Sequence, residues 1–524
     1  MAFLTHPDAS KPAPRWLIGL LAFALLVTLF NLGRLPLFDE DEGEYAEVAV
    51  EMAHSGDFIT PTLNGQPFFE KPILAFWLQA PLVQVFGVHA WVFRLPSAVA
   101  CLFWVALLIR FGKRYLDRET GWLAGLFCAT ALGVVVSGEA AAMDGVLSLL
   151  IAAAGFDIYR VWASDDRHAR WRVFLWMALG FLAKGPIAIA VPLLLSFIFY
   201  ATQGNLGRWW RAAFNPLGWV VFLAVASPWY LLQYHLMGQP FVDYFLYREN
   251  LGRLTGSLQG HGGSLLYYFP VLVLIVLPHT TLLLRAGRES LRQRGDALTL
   301  FLLLWFAVVF GLFTLASTKL PHYLLIGLTP LFLLMARHRE RLRSPVLALL
   351  PFILMGALAV GLPAWVARAG ERSKSPYIHE MLARAPEVFG TGYWMGIALV
   401  SALLLVSVAV MRQCWRQEGR AWTLLPLAGV ASNLLVAMVL MPAAADLQQA
   451  PLQEAAQIAR QLRQPVVADN RMPSFAVYSG HATENRPPHA GDLVFLRADR
   501  EAEMPPHQTI FSKGGLRLVR ITGD

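Results

Sequence analysis

Acidic and basic side chains in two short stretches are of types that could carry out acid–base chemistry on an anionic substrate. In the first stretch, residues 38–45, five acids occupy six positions: Asp39, Glu40, Asp41, Glu42 and Glu44. The second stretch, residues 68–72, contains the adjacent pair Glu70 and Lys71. A carboxylate can accept the proton of an attacking group, and a cation can stabilise the charge that grows on a departing phosphate. Aromatic residues are interleaved with both stretches, which a merely solvated charged loop does not require.

The composition indicates a polytopic membrane protein. The 524-residue chain is 56% hydrophobic and 15% charged, whereas a soluble domain carries about 25% charged residues. Apolar runs recur from residue 16 to residue 441, and at roughly 20 residues each can cross about 30 Å of hydrocarbon. We therefore predict an all-α membrane domain with about thirteen spans, near residues 16–33, 91–110, 121–137, 142–160, 173–183, 187–201, 217–236, 265–284, 298–315, 321–336, 345–366, 393–411 and 422–441.

The distribution of lysine and arginine indicates how these spans are oriented. Basic residues concentrate in every second connection, and the positive-inside bias places those connections in the cytoplasm. The N-terminus is then cytoplasmic, and the loop of residues 34–90 and the C-terminal tail face the other side. The net charge of +8 is explained by these orientation signals, so it does not indicate a nucleic-acid partner.

A change in composition after residue 441 divides the chain into a transmembrane domain, residues 1–441, and a small soluble domain, residues 442–524. In the outer loop, apolar spacing predicts a short surface helix over residues 44–54 and a second interfacial helix over residues 72–86. The tail predicts a helix over residues 448–462. It also predicts strands near residues 465–469, 474–478, 492–496, 509–512 and 516–521, so we expect a small α/β domain.

Several ionisable groups lie at the outer ends of predicted spans, where they cost free energy unless they are paired or used. Asp144 could cap the helix that it begins, because a helix N-terminus favours an anion, or it could take part in chemistry. Lys184, at a tight turn, could extend its ammonium to the interface or bind an anion. We interpret Arg94 as an interfacial residue of this snorkelling kind, and Asp39 and Glu40 as solvated neighbours of the acidic stretch.

Carboxylates and cations on the outer face of a membrane protein suit glycosyl transfer from a lipid-phosphate sugar. The membrane holds such a donor, so no nucleotide-binding fold is needed, and the sequence has no P-loop or Rossmann glycine motif in a suitable context. A transporter or flippase of an anionic lipid-linked sugar is the alternative from another class. Transporters place ionisable residues near the membrane midplane, whereas these residues cluster at outer span ends. A non-catalytic scaffold would leave the outer cations unexplained.

Five motifs follow one another in the first 340 residues. They are Asp41-Glu42-Gly43-Glu44-Tyr45-Ala46-Glu47, Phe69-Glu70-Lys71-Pro72, Ala183-Lys184-Gly185-Pro186, Pro228-Trp229-Tyr230 and Ser317-Thr318-Lys319-Leu320-Pro321-His322-Tyr323. Together they closely resemble the signature of bacterial GT-C glycosyltransferases, which are relatives of the protein O-mannosyltransferases. The resemblance is nearest to the aminoarabinose (4-amino-4-deoxy-L-arabinose) lipid A transferases. The first-loop motif is specific for the superfamily rather than for one sugar.

The resemblance implies a role for each matching residue. Asp41 matches the catalytic aspartate that follows the first span, and Asp144 matches the second acidic position of the fold. The residues implied to be catalytic are Asp41, Asp144 and Glu70. The residues implied to bind the donor phosphate are Lys71, Arg253, Lys319 and Tyr323. Further site candidates are Glu42, Tyr45 and Lys184.

The resemblance also bears on cofactors and partners. In aminoarabinose transferases a histidine, with the glutamate of the Glu-Lys-Pro motif, can hold a metal. This chain has Asn250 at the corresponding position, so we predict no cofactor and do not favour a divalent metal. The implied donor is a polyprenyl-phosphate-linked sugar, and transfer would invert the anomeric carbon. The implied acceptor is a lipid A or lipopolysaccharide-type molecule, or another glycan or protein, at the periplasmic face of the inner membrane. Transfer to exported proteins, as in protein O-mannosyltransferases, is the alternative.

Overall fold

The structure is a computed structural model that describes residues 15–252, 262–414, 420–468, 472–481, 483–484 and 486–523. Most of these residues are helical. Among them, seven helices are long and apolar enough to cross a membrane, or nine if each of two bent helix pairs forms one span. The chain is therefore a multi-pass membrane protein, and a five-stranded sheet lies near its C-terminus.

The N-terminal half is a series of helices joined by short connections. They are α1 (Arg15–Asn31), α2 (Asp41–Ser55), α3 (Leu74–Phe86), α4 (Ala90–Tyr115), α5 (Arg118–Thr130), α6 (Leu132–Gly138), α7 (Asp144–Ser164), α8 (Arg167–Lys184), α9 (Ile187–Thr202), α10 (Leu206–Ala213), α11 (Pro216–Met237) and α12 (Gln239–Val242), with a π-helix over Asp243–Leu251. Between α2 and α3 a short hairpin pairs β1 (Thr62–Leu63) with β2 (Gln66–Pro67). Helices α2 and α3 confirm the two helices predicted in the first outer loop.

The C-terminal half continues with α13 (Tyr268–Ile275), α14 (Thr280–Arg292), α15 (Ala297–Leu315), α16 (Leu328–Arg337), α17 (Pro345–Arg372), α18 (Pro376–Ala383), α19 (Ala385–Val388), α20 (Thr391–Cys414), α21 (Leu424–Leu435), α22 (Met441–Gln448), α23 (Ala450–Leu462) and α24 (Ser474–Ser479). Short 3₁₀ turns cover Pro321–Gly327, Arg339–Arg341, Ala421–Thr423 and Ala498–Glu503, and a π-helix covers Val436–Leu440. The remaining strands are β3 (Val466–Ala468), β4 (Thr483–Glu484), β5 (Leu493–Arg497), β6 (His507–Lys513) and β7 (Leu516–Ile521).

Each of the thirteen predicted spans lies on a helix or a bent helix pair, but some differ in shape. The span predicted over residues 265–284 is broken between α13 and α14, which are bent by 114°. Pro278 lies in the break, and proline has no N–H with which to continue a helix. Residues 173–183 belong to the longer helix α8, because the arginine-rich segment before them is helical as well.

Antiparallel packing of α7 against α8 brings distant ionisable residues to the same end of the bundle. Asp144 is the first residue of α7, and Lys184 is the last residue of α8. The α8–α9 connection is a tight turn in which Gly185 has a φ of 74°, a conformation that glycine adopts without steric cost. The turn holds the two helix ends beside the first outer loop.

The C-terminal sheet has the strand order β4-β3-β5-β7-β6, with β3 parallel to β4 and β5 and the other pairs antiparallel. Helices α23 and α24 pack on it through apolar residues such as Leu452 and Phe475. The strand predicted over residues 474–478 is wrong, because this segment is helix α24. Phe475 stacks on Phe495 of β5 at 4.0 Å between ring centroids, so tertiary packing outweighs the β preference of its aromatic residues.

Candidate active site

Helix α2 presents the acidic stretch in several directions. Asp41 is its first residue, and successive helical residues are rotated by about 100° around the axis. Asp41 is exposed, whereas Glu42 and Tyr45 are buried. Acids in the first turn are also favoured by the partial positive charge of the helix N-terminus. The stretch is therefore a folded element whose acids have different environments.

Glu42 forms a buried ion pair with Arg94, with distances of 2.9 Å to Nε and 2.8 Å to Nη2. Its carboxylate also accepts hydrogen bonds from the backbone N–H groups of Phe38 and Ala141, at 2.8 and 2.6 Å. Arg94 donates further hydrogen bonds to carbonyl oxygens of residues 32–36. The interpretation of Arg94 as a snorkelling residue is wrong, because its side chain is 2% exposed. In this structure Glu42 fixes the loop.

Asp39 connects the acidic stretch to the C-terminal region. Its carboxylate accepts a hydrogen bond from the backbone N–H of Ser474 at 3.0 Å and another from the Ser474 hydroxyl. Burial raises the pKa of Asp39 to about 7, although these hydrogen bonds oppose the shift. Asp39 is therefore not the predicted solvated neighbour, whereas Glu40 is exposed. The backbone N–H of Leu37 donates to the Tyr478 hydroxyl at 2.6 Å.

The Glu70–Lys71 ion pair lies close enough to α2 to interact electrostatically with Glu44. Lys71 Nζ is 3.0 Å from Glu70 Oε1, and both side chains are largely buried. Glu44 belongs to the acidic stretch but is not among the site residues that the resemblance implies. Burial and the charge of Glu70 raise the pKa of Glu44 to about 8, and Lys71 opposes this shift. Glu44 is therefore mostly protonated at neutral pH, and its position three residues after Asp41, on the same side of a helix, is the signal that could have identified it.

Asp144 and Lys184 form an ion pair with 2.5 Å between Oδ1 and Nζ. The two side chains are 15% and 20% exposed. Lys184 Nζ also lies 5.7 Å from the centroid of the Tyr323 ring, a cation–π arrangement. Each side chain therefore has the other as its partner, and Asp144 also begins α7, where a helix N-terminus favours an anion.

His322 lies among the charged groups of both ion pairs. Asp144, Lys184, Asp41 and Lys71 are all close enough to interact electrostatically with its ring. These five residues therefore form one cluster at one end of the bundle. His322 was missed from the sequence, although it lies in the last of the five motifs, because a single histidine in a loop has no local signal of its partners.

The residues implied to bind the donor phosphate are placed differently from one another. Lys71 and Tyr323 lie at the cluster. Lys319 is 5% exposed, and its ammonium donates hydrogen bonds to the carbonyl oxygens of Thr314 and Ala316, both at 2.7 Å. Lys319 therefore serves the C-terminal end of α15. Arg253 lies outside the described residues.

Asn250, which stands where the resembling family has a metal-binding histidine, contacts the main chain. Its amide donates a hydrogen bond to the carbonyl of Phe245 at 2.6 Å, beside the turn at Gly185. Across the residues that the structure describes, no three His, Cys, Asp or Glu side chains are grouped as potential metal ligands. Asn250 therefore does not supply the imidazole that the resembling family has at this position.

The cluster combines an exposed carboxylate with fixed cations. Asp41 can accept a proton from a group that enters from solvent, and Lys71 and Lys184 can stabilise negative charge on an oxygen that departs. This combination suits the attack of a nucleophile on a carbon that carries a phosphate leaving group.

Comparison with known proteins identifies the family. Residues 70–231 match the dolichyl-phosphate-mannose-protein mannosyltransferase family. The undecaprenyl phosphate-α-4-amino-4-deoxy-L-arabinose arabinosyl transferase of Pseudomonas aeruginosa is 30% identical over 445 residues, which are 82% of this chain and 75% of that protein. The chain belongs to this aminoarabinose transferase family. A transferase of the same name from Aeromonas salmonicida is 32% identical over 328 residues, which are 62% of this chain but only 59% of that relative.

A solved structure shows that the chain shares a fold with an aminoarabinose transferase. The crystal structure of ArnT from Cupriavidus metallidurans bound to undecaprenyl phosphate has a TM-score of 0.79 and 20% sequence identity. The match covers 97% of this chain and 98% of that chain. The prediction of a GT-C-like, all-α membrane fold with a small C-terminal α/β domain is thereby confirmed.

Proposed function

We propose that the protein is a glycosyltransferase that moves a sugar from a polyprenyl-phosphate donor to an acceptor of the bacterial cell envelope. The observation that carries the proposal is the cluster of Asp41, Lys71, Asp144, Lys184 and His322 at one end of the bundle. Membership of the aminoarabinose transferase family supports it, because the relatives are named for an undecaprenyl-phosphate-linked sugar.

In the proposed reaction the acceptor attacks the anomeric carbon while the bond from that carbon to the donor phosphate oxygen breaks. Asp41 takes the proton of the attacking group. Lys71 stabilises the departing phosphate, and Lys184, held by Asp144, adds positive charge at the same end of the bundle. Attack from the face opposite to the phosphate inverts the anomeric carbon.

We place the cluster, the loop of residues 34–90 and the C-terminal sheet on the periplasmic side of the inner membrane, with the N-terminus in the cytoplasm. The asymmetry of arginine and lysine supports this orientation.

We also propose that the boundary between the membrane domain and the soluble domain lies at Gln449 rather than at residue 441. The apolar helical run Ala421–Gln448 crosses the earlier boundary.

A reconstituted assay tests the proposal. Purified protein in liposomes is supplied with undecaprenyl-phosphate-linked 4-amino-4-deoxy-L-arabinose and lipid A, and the lipid product is measured by mass spectrometry. Protein-dependent appearance of aminopentose on lipid A supports the proposal. If no polyprenyl-phosphate sugar is transferred to any envelope acceptor, the proposal fails, and movement of the intact donor across the bilayer would favour the flippase alternative.

The acceptor is resolved by comparing a deletion strain with its parent. Loss of an aminopentose from lipid A identifies a lipid acceptor. Loss of a hexose from exported proteins instead identifies the alternative of a protein O-mannosyltransferase-like enzyme. The match of residues 70–231 to the dolichyl-phosphate-mannose-protein mannosyltransferase family is the reason for testing this alternative.

A further inference from the structure

A cavity of about 180 Å³ lies within the bundle between α7, α8, α9, α10 and α11. Its walls are mostly apolar and include Ile158, Val173, Phe174, Leu193 and Phe222. Along α9 the lining extends from Ile189 to Tyr200, which at 1.5 Å per residue corresponds to a groove about 16 Å long. Half of the hydrocarbon layer of a bilayer is about 15 Å thick, so the groove has the depth of one leaflet.

The polar end of this groove lies at the membrane face opposite to the candidate active site. Helix α7 begins at Asp144 in the active-site cluster and ends at Ser164, and α8 returns from Arg167 to the cluster. Arg170, which lines the groove, lies 14 residues before Lys184 on the same helix, or about 21 Å away at 1.5 Å per residue. The polar end of the groove is thus separate from the proposed donor site.

Positive charge surrounds the polar end of the groove. Arg170 and Arg208 share one carboxylate, with distances of 2.5 and 3.4 Å to Asp165 Oδ1. One carboxylate between two guanidinium groups leaves a net positive charge, and both arginine side chains are partly exposed. Over residues 157–172 and 206–213 the chain has six arginines against three aspartates.

Helix α10 closes the groove through Trp209, Ala212 and Ala213. The indole N–H of Trp209 donates a hydrogen bond to Ser196 Oγ of α9 at 3.0 Å, while Trp210 is 52% exposed. Tryptophan and arginine together on a short amphipathic helix are typical of the membrane–water interface. The groove therefore has an apolar shaft and a cationic, interfacial mouth.

We propose that this groove binds one acyl chain of an anionic glycerophospholipid from the leaflet opposite to the active site. The head-group phosphate binds beside Asp165, at the partly exposed guanidinium groups of Arg170 and Arg208, because basic pockets between membrane helices bind anionic lipid head groups. A zwitterionic phospholipid supplies the same acyl chain without the net negative charge that matches the mouth. The inference does not depend on the proposed transferase activity.

Native mass spectrometry of the full-length protein tests the proposal. The protein is released from nanodiscs that contain phosphatidylglycerol and phosphatidylethanolamine in equal amounts, and retained lipids are counted and identified. We expect retention of phosphatidylglycerol, and a loss of about tenfold or more in the double variant Arg170→Gln/Arg208→Gln. Arg167→Gln is the matched control, because Arg167 is an exposed arginine on the same helix and does not line the groove.

A groove-filling variant, Ala212→Phe, keeps every charge and should also lose the retained phosphatidylglycerol. Equal retention of both phospholipids by the wild-type protein would overturn the proposal. So would an equal loss in Arg167→Gln, undiminished retention in Ala212→Phe, or polyprenyl phosphate as the lipid that these substitutions release. Thermal unfolding and size-exclusion profiles of the variants show whether each has folded. Failure of the transferase assay would leave these results unchanged, so the two proposals fail independently.

Discussion

The acids of the first loop differ in whether the carboxylate is bonded to another group of the protein. Asp39 is bonded to Ser474 and Glu42 to Arg94, whereas Asp41 is exposed. Neighbouring residues of the same type therefore have separate roles, and Asp41 is the exposed acid that lies in the cluster with His322.

Asp41→Asn should lower the rate of sugar transfer by a factor of about 10²–10⁴, the usual contribution of a general base. Donor binding should change little, because the amide keeps the shape of the side chain. Turnover and donor affinity are measured on the same preparation. Glu40→Gln is the control and should keep its turnover, since Glu40 is an exposed neighbour. Retained turnover in Asp41→Asn would exclude Asp41 as the base.

Glu44 predicts a pH dependence of donor binding. Burial and Glu70 raise its pKa from the ordinary 4.5 to about 8, so the side chain is neutral below pH 8 and becomes an anion above it. The new anion lies near Lys71 and repels the donor phosphate, whose single charge is constant over this range. Donor affinity should therefore fall as the pH rises through about 8.

Glu44→Gln tests that pH dependence, because glutamine stays neutral. The donor affinity of Glu44→Gln should be nearly constant from about pH 6 to 9, apart from any pH-dependent loss of affinity that the wild type and the variant share. The dissociation constant is measured at each pH by donor titration. Identical pH profiles for the wild type and the variant would show that Glu44 is not the titrating group.

The buried Glu42–Arg94 pair predicts a large effect on stability. Arg94→Met should destabilise the protein by about 3–5 kcal/mol, because it leaves the Glu42 carboxylate buried without its partner. Arg292→Met is a control, since Arg292 is 62% exposed beside Glu289 and a pair at the surface contributes little to stability. Thermal unfolding in detergent compares the two. Similar unfolding temperatures for both variants would contradict a structural role for the pair.

At the scale of elements, helix α24 of the C-terminal region forms hydrogen bonds with the segment that leads into α2. Ser474 binds Asp39 and Tyr478 binds the backbone of Leu37. The approach is so close that a Cβ atom at Gly43 would lie 2.6 Å from the Ser474 nitrogen, which explains why glycine occupies this position. The C-terminal region therefore helps to position the residue that we propose as the base.

Ser474→Ala should lower kcat while leaving donor affinity nearly unchanged. The variant loses the hydroxyl bond to Asp39, and small displacements of a reacting group can reduce turnover by one to two orders of magnitude, so we expect about a tenfold loss. Ser512→Ala, at an exposed position of β6, is the matched control. An unchanged kcat, or an equal loss of donor binding, would contradict the positioning role.

At the scale of the whole molecule, the Asp39–Ser474 bond joins the first loop to the C-terminal region. We propose that both lie on the periplasmic side of the membrane and that the groove mouth at Arg170 lies on the other side. Cysteine labelling in a background without the three native cysteines tests the orientation. Gln508→Cys on β6 should react with a membrane-impermeant maleimide from the periplasm. Arg211→Cys on α10 should react only after permeabilisation. The reverse pattern would invert the proposed topology.

Local properties of the chain were sufficient for much of this structure. Apolar runs of span length, the spacing of Tyr45, Val48 and Met52 in α2, and the glycine at the end of that helix are all set by neighbouring residues. The motifs that contain Asp41, Glu70 and Lys184 could likewise be recognised without coordinates. The break at Pro278 could not be predicted in this way, because hydropathy shows how long an apolar run is but not whether the helix bends within it.

By itself the sequence determined the membrane class, the positions of the helices and the residue types available for chemistry, because these depend on composition and short-range periodicity. Tertiary structure decided which charges are paired. Glu42 and Arg94 are separated by 52 residues, and Asp39 and Ser474 by 435. Such pairs arise from the packing of distant segments, which local sequence does not reveal. The same packing placed Glu44 near Glu70 and Lys71, placed His322 in the cluster and made residues 474–479 a helix. It therefore distinguished the exposed Asp41 from the acids whose bonds hold the fold.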